Sequence, residues 1–359
     1  MLTRRGAMTM VAGAATLAGS RAWAQAGPSA DKVNKAKAEG KVAIYTSTDL
    51  DQGQKLLDAF KAAYPGIDLQ WNDLGTTSTF NRIISEAAAK QVGCDIAWSS
   101  AVELQLTAVD KGLAEEYKSP EAGKLPDWAV YKNAAYGTTI EPAAIVYNKR
   151  LLPAEMIPKT HADLLRILKD NRAKLDGKVA TYDPEKSGTG YMFQTHDMEN
   201  VPNYWELLTA FGAAHGKVYG SSGSMREKVI SGEHLLAFDV VGSYAVAWSK
   251  GNDNVGHGFL SDYVPAFSRP MLIAKGAPHP NAAQLFLDFT LSPPGQKALS
   301  DGGLPGVRSD VPGAENLETV TKMVGGKLSP VPLSAKTLEY SDAKHRGEFF
   351  RQWRKAMQG

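Results

Sequence analysis

Hydroxyl and glycine residues gathered ahead of an apolar run are the ingredients of an anion-binding turn. In Asp183–Phe193 (DPEKSGTGYMF), Ser187, Gly188, Thr189 and Gly190 form such a turn, and the apolar residues after it can open a helix. Free N–H groups at that junction, with the helix dipole, attract phosphate or carboxylate. Glycine lets the backbone approach closely and the hydroxyls add donors. Related clusters recur at Ser47-Thr48, Gly75-Thr76, Ser99-Ser100 and Ser221–Ser224, with Ser222 the chief candidate of the last. One such turn reads as an ordinary helix cap; several on one sheet edge would converge on a polar cleft. Asp239, Ser243 and Tyr244 end a further strand pattern. A carboxylate in an anion site repels its ligand unless it accepts from a hydroxyl or amine at the ligand's other end. Asp239 therefore implies a bifunctional ligand, or else it caps the next turn. Tyr244, Trp98 and Glu141 can wall the cleft, whereas His196-Asp197 reads as a helix-surface pair.

Catalytic patterns are missing. Ser222 has Gly220 before it but Ser224 where a G-x-S-x-G elbow needs glycine. The seven histidines show no close zinc spacing, and the Ser187–Gly190 turn lacks the lysine of a nucleotide P-loop. The sequence predicts no catalytic residue, no metal site and no cofactor.

The elements that must position these residues alternate. Strand patterns at 41–45, 67–71 and 95–98 interleave with helical spacing at 52–64, 79–90 and 102–111, a mainly parallel α/β order. Such sheets bind ligands at the carboxyl ends of their strands. An extended stretch at 136–148 follows, and the pattern restarts with a helix from 162 and strands near 179–181 and 235–238. A chain of 359 residues exceeds the comfortable size of one core, so two lobes are expected.

Thr3-Arg4-Arg5, a mild apolar run from Ala7 to Gly19 and Ala22-Trp23-Ala24 read as a signal peptide over residues 1–24, of twin-arginine or general secretory type. The lone Cys94 permits neither an intrachain disulfide nor a lipid anchor at that cleavage site. Removing the three arginines of the segment leaves 37 basic against 38 acidic residues, with no basic tract suited to nucleic acid. The expected product is an exported, periplasmic monomer.

The chain resembles the periplasmic solute-binding proteins of ABC importers, in the branch of ferric-ion and phosphorylated-sugar binders. The resemblance rests on Val42–Ser47, Tyr136-Gly137-Thr138, Ile145–Lys149, Arg269–Ala283 and Leu291–Gln296. It implies a two-lobed clamshell, with lobe 1 at 30–137 plus 266–315 and lobe 2 at 138–265 plus 316–359. It also implies a small-molecule anionic ligand, an organophosphate or carboxylate, handed transiently to a membrane permease. Ferric binders of the branch place adjacent tyrosines after the strand that here reads Ala237–Val241. Gly242 and Ser243 stand there instead, with Tyr244 just beyond. Ferric ion with a carrier anion is therefore the second reading, and an exported hydrolase the third.

Overall fold

Gly40, at φ 72°, ends the first helix and delivers the chain into a strand buried from Val42 onward, the step from which the first sheet grows. The computed structural model describes residues 27–325 and 327–359; the expected signal segment, 1–24, lies outside them. The order begins α1 (Ala30–Glu39), β1 (Lys41–Thr46), α2 (Leu50–Ala63), β2 (Asp68–Asp73), α3 (Thr76–Ala88), β3 (Ile96–Trp98), α4 (Val102–Asp110), β4 (Val130–Tyr131), β5 (Ala135–Gly137) and β6 (Glu141–Asn148). It continues through α5 (His161–Asp170), β7 (Val179–Tyr182), α6 (Gly188–Asn200), α7 (Tyr204–Ala213), β8 (Lys217–Tyr219), α8 (Ser222–Ser231), β9 (Leu236–Val241), α9 (Gly242–Gly251), β10 (Val255–Gly258) and β11 (Val264–Phe267). Last come β12 (Pro270–Ile273), α10 (Pro280–Leu291), α11 (Pro293–Asp301), α12 (Leu317–Met323), β13 (Leu328–Pro330) and α13 (Ala343–Met357).

Two sheets result. The first runs β2-β1-β3-β12-β5-β4, and the second β13-β11-β6-β9-β7-β8 with β10 also on β6. Strands β1, β2 and β3 pair in parallel, as do β7, β8 and β9, so each sheet sends strand ends and helix starts towards one edge. Strands β1, β6 and β9 read apolar almost throughout because helices or neighbouring strands cover both their faces. Late segments complete both halves. Phe60 of α2 meets Phe286 and Phe289 of α10 edge-on, with centroids 5.1 and 5.5 Å apart. Each such buried ring adds roughly 1.5–3 kcal/mol of apolar burial. At the other end, α13 lies so close to α7 that a Cβ on Gly212 would meet the Ala356 carbonyl at 2.4 Å. Ala there would push the C-terminal helix off the second sheet.

The chain passes between the sheets at Thr138–Ile140 and at Ser268-Arg269. These crossovers are stitched together: Thr138 N–H donates to the Arg269 carbonyl (3.2 Å), Thr139 N–H to Ser268 Oγ (3.2 Å) and Arg269 N–H to Thr139 Oγ1 (3.1 Å). Two details differ from the sequence reading. Helix α6 starts at Gly188, so the SGTG segment is its cap and first turn rather than a loop before it. Strand β9 runs on to Val241, so Asp239 lies within a strand and not at its end. Among the described residues, no helix is long and apolar enough to cross a membrane.

Candidate functional site

A cavity of about 130 Å³ lies between the two sheets, and its walls are helix beginnings. Asp49, Gly75, Ser187, Ser221 and Val241 all line it, and they are the N-cap residues of α2, α3, α6, α8 and α9. At Gly75, Ser187 and Ser221 the sequence builds them alike: a strand ends, a small or hydroxyl residue turns the chain, and a helix starts. Ser187 Oγ accepts from Gly190 N–H (3.1 Å), and Ser221 Oγ from Ser224 N–H (3.2 Å). Capping satisfies only part of each first turn. The remaining N–H groups and five positive dipole ends face one small space.

One full positive charge joins them. Arg269 sits in the second crossover and is only 1 % exposed, yet it lines the cavity. Its Nε and Nη2 donate to the two oxygens of Glu141, at 2.6 and 2.9 Å, and Nη1 donates to Thr48 Oγ1 at 3.0 Å. Glu141 also accepts from Thr139 Oγ1 (2.8 Å) and Ser243 Oγ (2.5 Å). Burial opposes the guanidinium charge, and Glu141 more than restores it, so Arg269 stays cationic. Its guanidinium lies 5.4 Å from the ring centre of Tyr244, within cation–π range. Tyr244 Oη accepts from Asp49 N–H (3.2 Å), and burial pushes its phenol up to about 12. Tyr182 bonds Ser222 Oγ and is likewise held neutral by burial. Partial burial beside Asp73 raises the Asp49 carboxyl above its usual range.

Hydrogen bonds cross the cavity between the halves. Ser100 Oγ and Thr189 Oγ1 are 2.8 Å apart, Gly188 N–H donates to Thr76 Oγ1 (3.3 Å), and Thr77 Oγ1 donates to the Lys186 carbonyl (3.2 Å).

Of the candidate residues, Ser47, Gly75, Thr76, Ser100, Ser187, Thr189, Ser222 and Tyr244 line this cavity. Thr48 and Ser243 stand behind it, on Arg269 and on Glu141. Ser99 is buried behind Ser47, with 3.3 Å between the hydroxyls. Gly188 and Gly190 are packing positions: an added Cβ would meet Ala101 Cβ at 2.6 Å and Tyr182 Cβ at 2.2 Å.

Asp239 is elsewhere. Ala144 pairs with Val240 and Val146 with Ala237, so β9 carries one extra residue against β6. Asp239 occupies that bulge at φ 59°, a conformation Asp tolerates better than most residues. The bulge turns its side chain towards a water-sized space beside Ala144, His161 and Tyr263, away from the cleft. There it meets Asp197, which is buried and not on the helix surface. Sequence reasoning passed over Arg269, Asp49, Tyr182 and Gly220 as site residues. The signal for Arg269 was present: a charged residue followed by an apolar strand at a crossover, which needs a buried partner.

The fold and cleft define a two-lobed binding protein. Residues 55–323 match the family described as bacterial extracellular solute-binding protein, and the chain belongs to that family. The substrate-binding protein of an ABC transporter from Agrobacterium tumefaciens is 31 % identical, with a TM-score of 0.84 over 88 % of this chain and 94 % of that one. The periplasmic binding protein AfuA from Actinobacillus pleuropneumoniae, solved with fructose-6-phosphate bound, is 21 % identical, with a TM-score of 0.73 over 89 % and 99 %. Iron-bound HitA from Pseudomonas aeruginosa is 17 % identical, with a TM-score of 0.68 over 88 % and 99 %. No curated protein matches the chain. The protein is thus a solute-binding component of the ABC-transporter type.

Proposed function

We propose that the protein captures a small organic anion, a phosphorylated sugar or related organophosphate before a carboxylate, and presents it to a membrane permease. The observation that carries this is the convergence of five helix N-termini and the Arg269 guanidinium on one cavity. Backbone N–H groups, hydroxyls and one fixed cation suit a compact oxyanion. The cavity is small beside the roughly 300–1,000 Å³ of pockets for drug-sized ligands, which favours a compact solute over a drug-sized one. Lobe 1 (30–137 plus 266–315) and lobe 2 (138–265 plus 316–359) would close over it about the stitched crossovers. Export with removal of residues 1–24, a periplasmic location and a monomeric state belong to the same reading.

Ferric ion with a carrier anion is the second reading, favoured by the phenols of Tyr182 and Tyr244 in the cavity beside Asp49. Burial holds both phenols protonated, which weighs against tyrosinate ligands. Calorimetry on metal-stripped protein separates the two. Heat with fructose-6-phosphate or another organophosphate and none with ferric citrate is the expected result. Tight ferric binding with a tyrosinate charge-transfer band would reverse the assignment. Scattering with the binding ligand should show a smaller radius of gyration; an unchanged radius at saturation removes the closing motion.

A further inference from the structure

Glu103 stands in the second turn-forming position of α4, three residues past Ser100, and is only 2 % exposed. Among the described residues, neither of its carboxylate oxygens takes a hydrogen bond from another residue. Its carboxyl lies on the seam between the lobes: a Cβ on Gly188, at the start of α6, would meet Glu103 Oε1 at 3.1 Å. A charged, unsatisfied carboxylate so placed is costly, whereas the same group is free to hydrate once the seam parts. We propose that Glu103 is a proton-uptake site that couples closing of the lobes to pH.

The groups around it are few. From α6 the facing titratable group is Tyr191, and from α13 it is Arg346, which favours the charged carboxylate. Arg82 and Glu86 of α3, Tyr136 of β5, and Lys336, Glu339 and Tyr340 of segment 335–341 lie on other elements packed against α4, but among the described residues Arg346 is the charge felt at the carboxyl. Burial outweighs both the residue's own backbone N–H and Arg346, and pushes Glu103 up from an ordinary 4.5 to about 7. The raised value belongs to the closed form, so closing binds a proton. Closure is therefore favoured at low pH, and the advantage is lost as pH rises through about 7. One linked proton changes the closing equilibrium by at most about tenfold per unit of pH.

The inference rests on the closing motion of the preceding reading, and the test keeps the two apart. Because phosphate esters titrate near pH 6 themselves, the measurement uses ligand-free protein. Small-angle scattering should give a larger radius of gyration at pH 8.5 than at pH 5.5. Glu103→Gln removes the charge at constant shape and should stay compact at both values, and Glu103→Met should do the same without a polar group to bury. A wild-type radius that does not change over this range, or variants that follow wild type, overturns the proposal. If ligand still compacts the protein in that case, the closing motion stands and only the role of Glu103 falls.

Discussion

Two carboxylates of the second sheet, Glu141 and Asp239, are both buried, yet they have opposite surroundings. Glu141 opens β6 at the crossover, where Arg269, Thr139 and Ser243 together fill both of its oxygens. Asp239 sits in the β9 bulge against a second carboxylate, Asp197, with one of its oxygens unpartnered among the described residues, and burial lifts it to about 7. Glu141 holds the buried Arg269 guanidinium in place at the cleft. Asp239 accepts from Asp197, whose carboxyl burial and the neighbouring acid keep protonated, and it lies outside the cleft lining. Burial alone does not tell a site carboxylate from a bystander; the partner does.

The sharpest way to break the comparison is to remove the partner. Arg269→Met leaves Glu141 buried and unpaired, an uncompensated charge that costs about 3–5 kcal/mol. Urea unfolding should show that loss, with the m-value unchanged. The double variant Arg269→Met/Glu141→Met should recover most of the stability and none of the ligand affinity. Failure of the double variant to recover would mean that Arg269 acts through Thr48 and Tyr244 and not through its carboxylate.

The next effect is on pH dependence. Asp197 and Asp239 are both raised by burial, and Asp197 further by the neighbouring Asp239. Groups raised on folding add stability that is fully present below their unfolded value, about 3.9 for Asp, and is lost as pH rises through about 7. The unfolding free energy from urea titration should therefore fall between pH 5 and 8, by up to about 1.4 kcal/mol per unit of pH for each proton released. Asp239→Asn should flatten the curve. Parallel curves would show that the pair does not hold the proton.

Much of this was legible in the residues. Strand and helix order followed from apolar period, and the hydroxyl-rich turns marked cleft walls because one chemistry, the N-cap, serves both helix start and anion. Eight of the named candidates reached the cavity, among them Gly75 and Ser187 as caps and Thr76, Thr189 and Ser222 in first turns. What stayed hidden was set by long-range geometry. The extra residue of β9 that redirects Asp239 exists only in its register against β6. The ion pair of Arg269 joins positions 128 residues apart, so no local spacing announces it. Gly188 and Gly190 looked like ligand contacts, but close approach of Ala101 and Tyr182 explains them.

The smallest expected effect is the most telling contrast. Thr189 lines the cavity and shares a 2.8 Å hydrogen bond with Ser100 across the lobes. Thr189→Val keeps the shape and removes the hydroxyl. Loss of a hydrogen bond to a charged group costs roughly 1.5–3 kcal/mol, about tenfold to a hundredfold in affinity. That loss should appear for every anion the protein accepts, because an N-terminal turn reads charge and oxygen geometry alone. Asp239→Asn should change affinity by less than about twofold for any ligand, since the bulge points Asp239 away from the cavity and leaves the cleft walls in place. Titrating both variants at pH 7 with fructose-6-phosphate and with inorganic phosphate is enough. If Asp239→Asn weakens the sugar phosphate and spares free phosphate, Asp239 reaches a ligand hydroxyl after all, and the separation of Glu141 from Asp239 collapses.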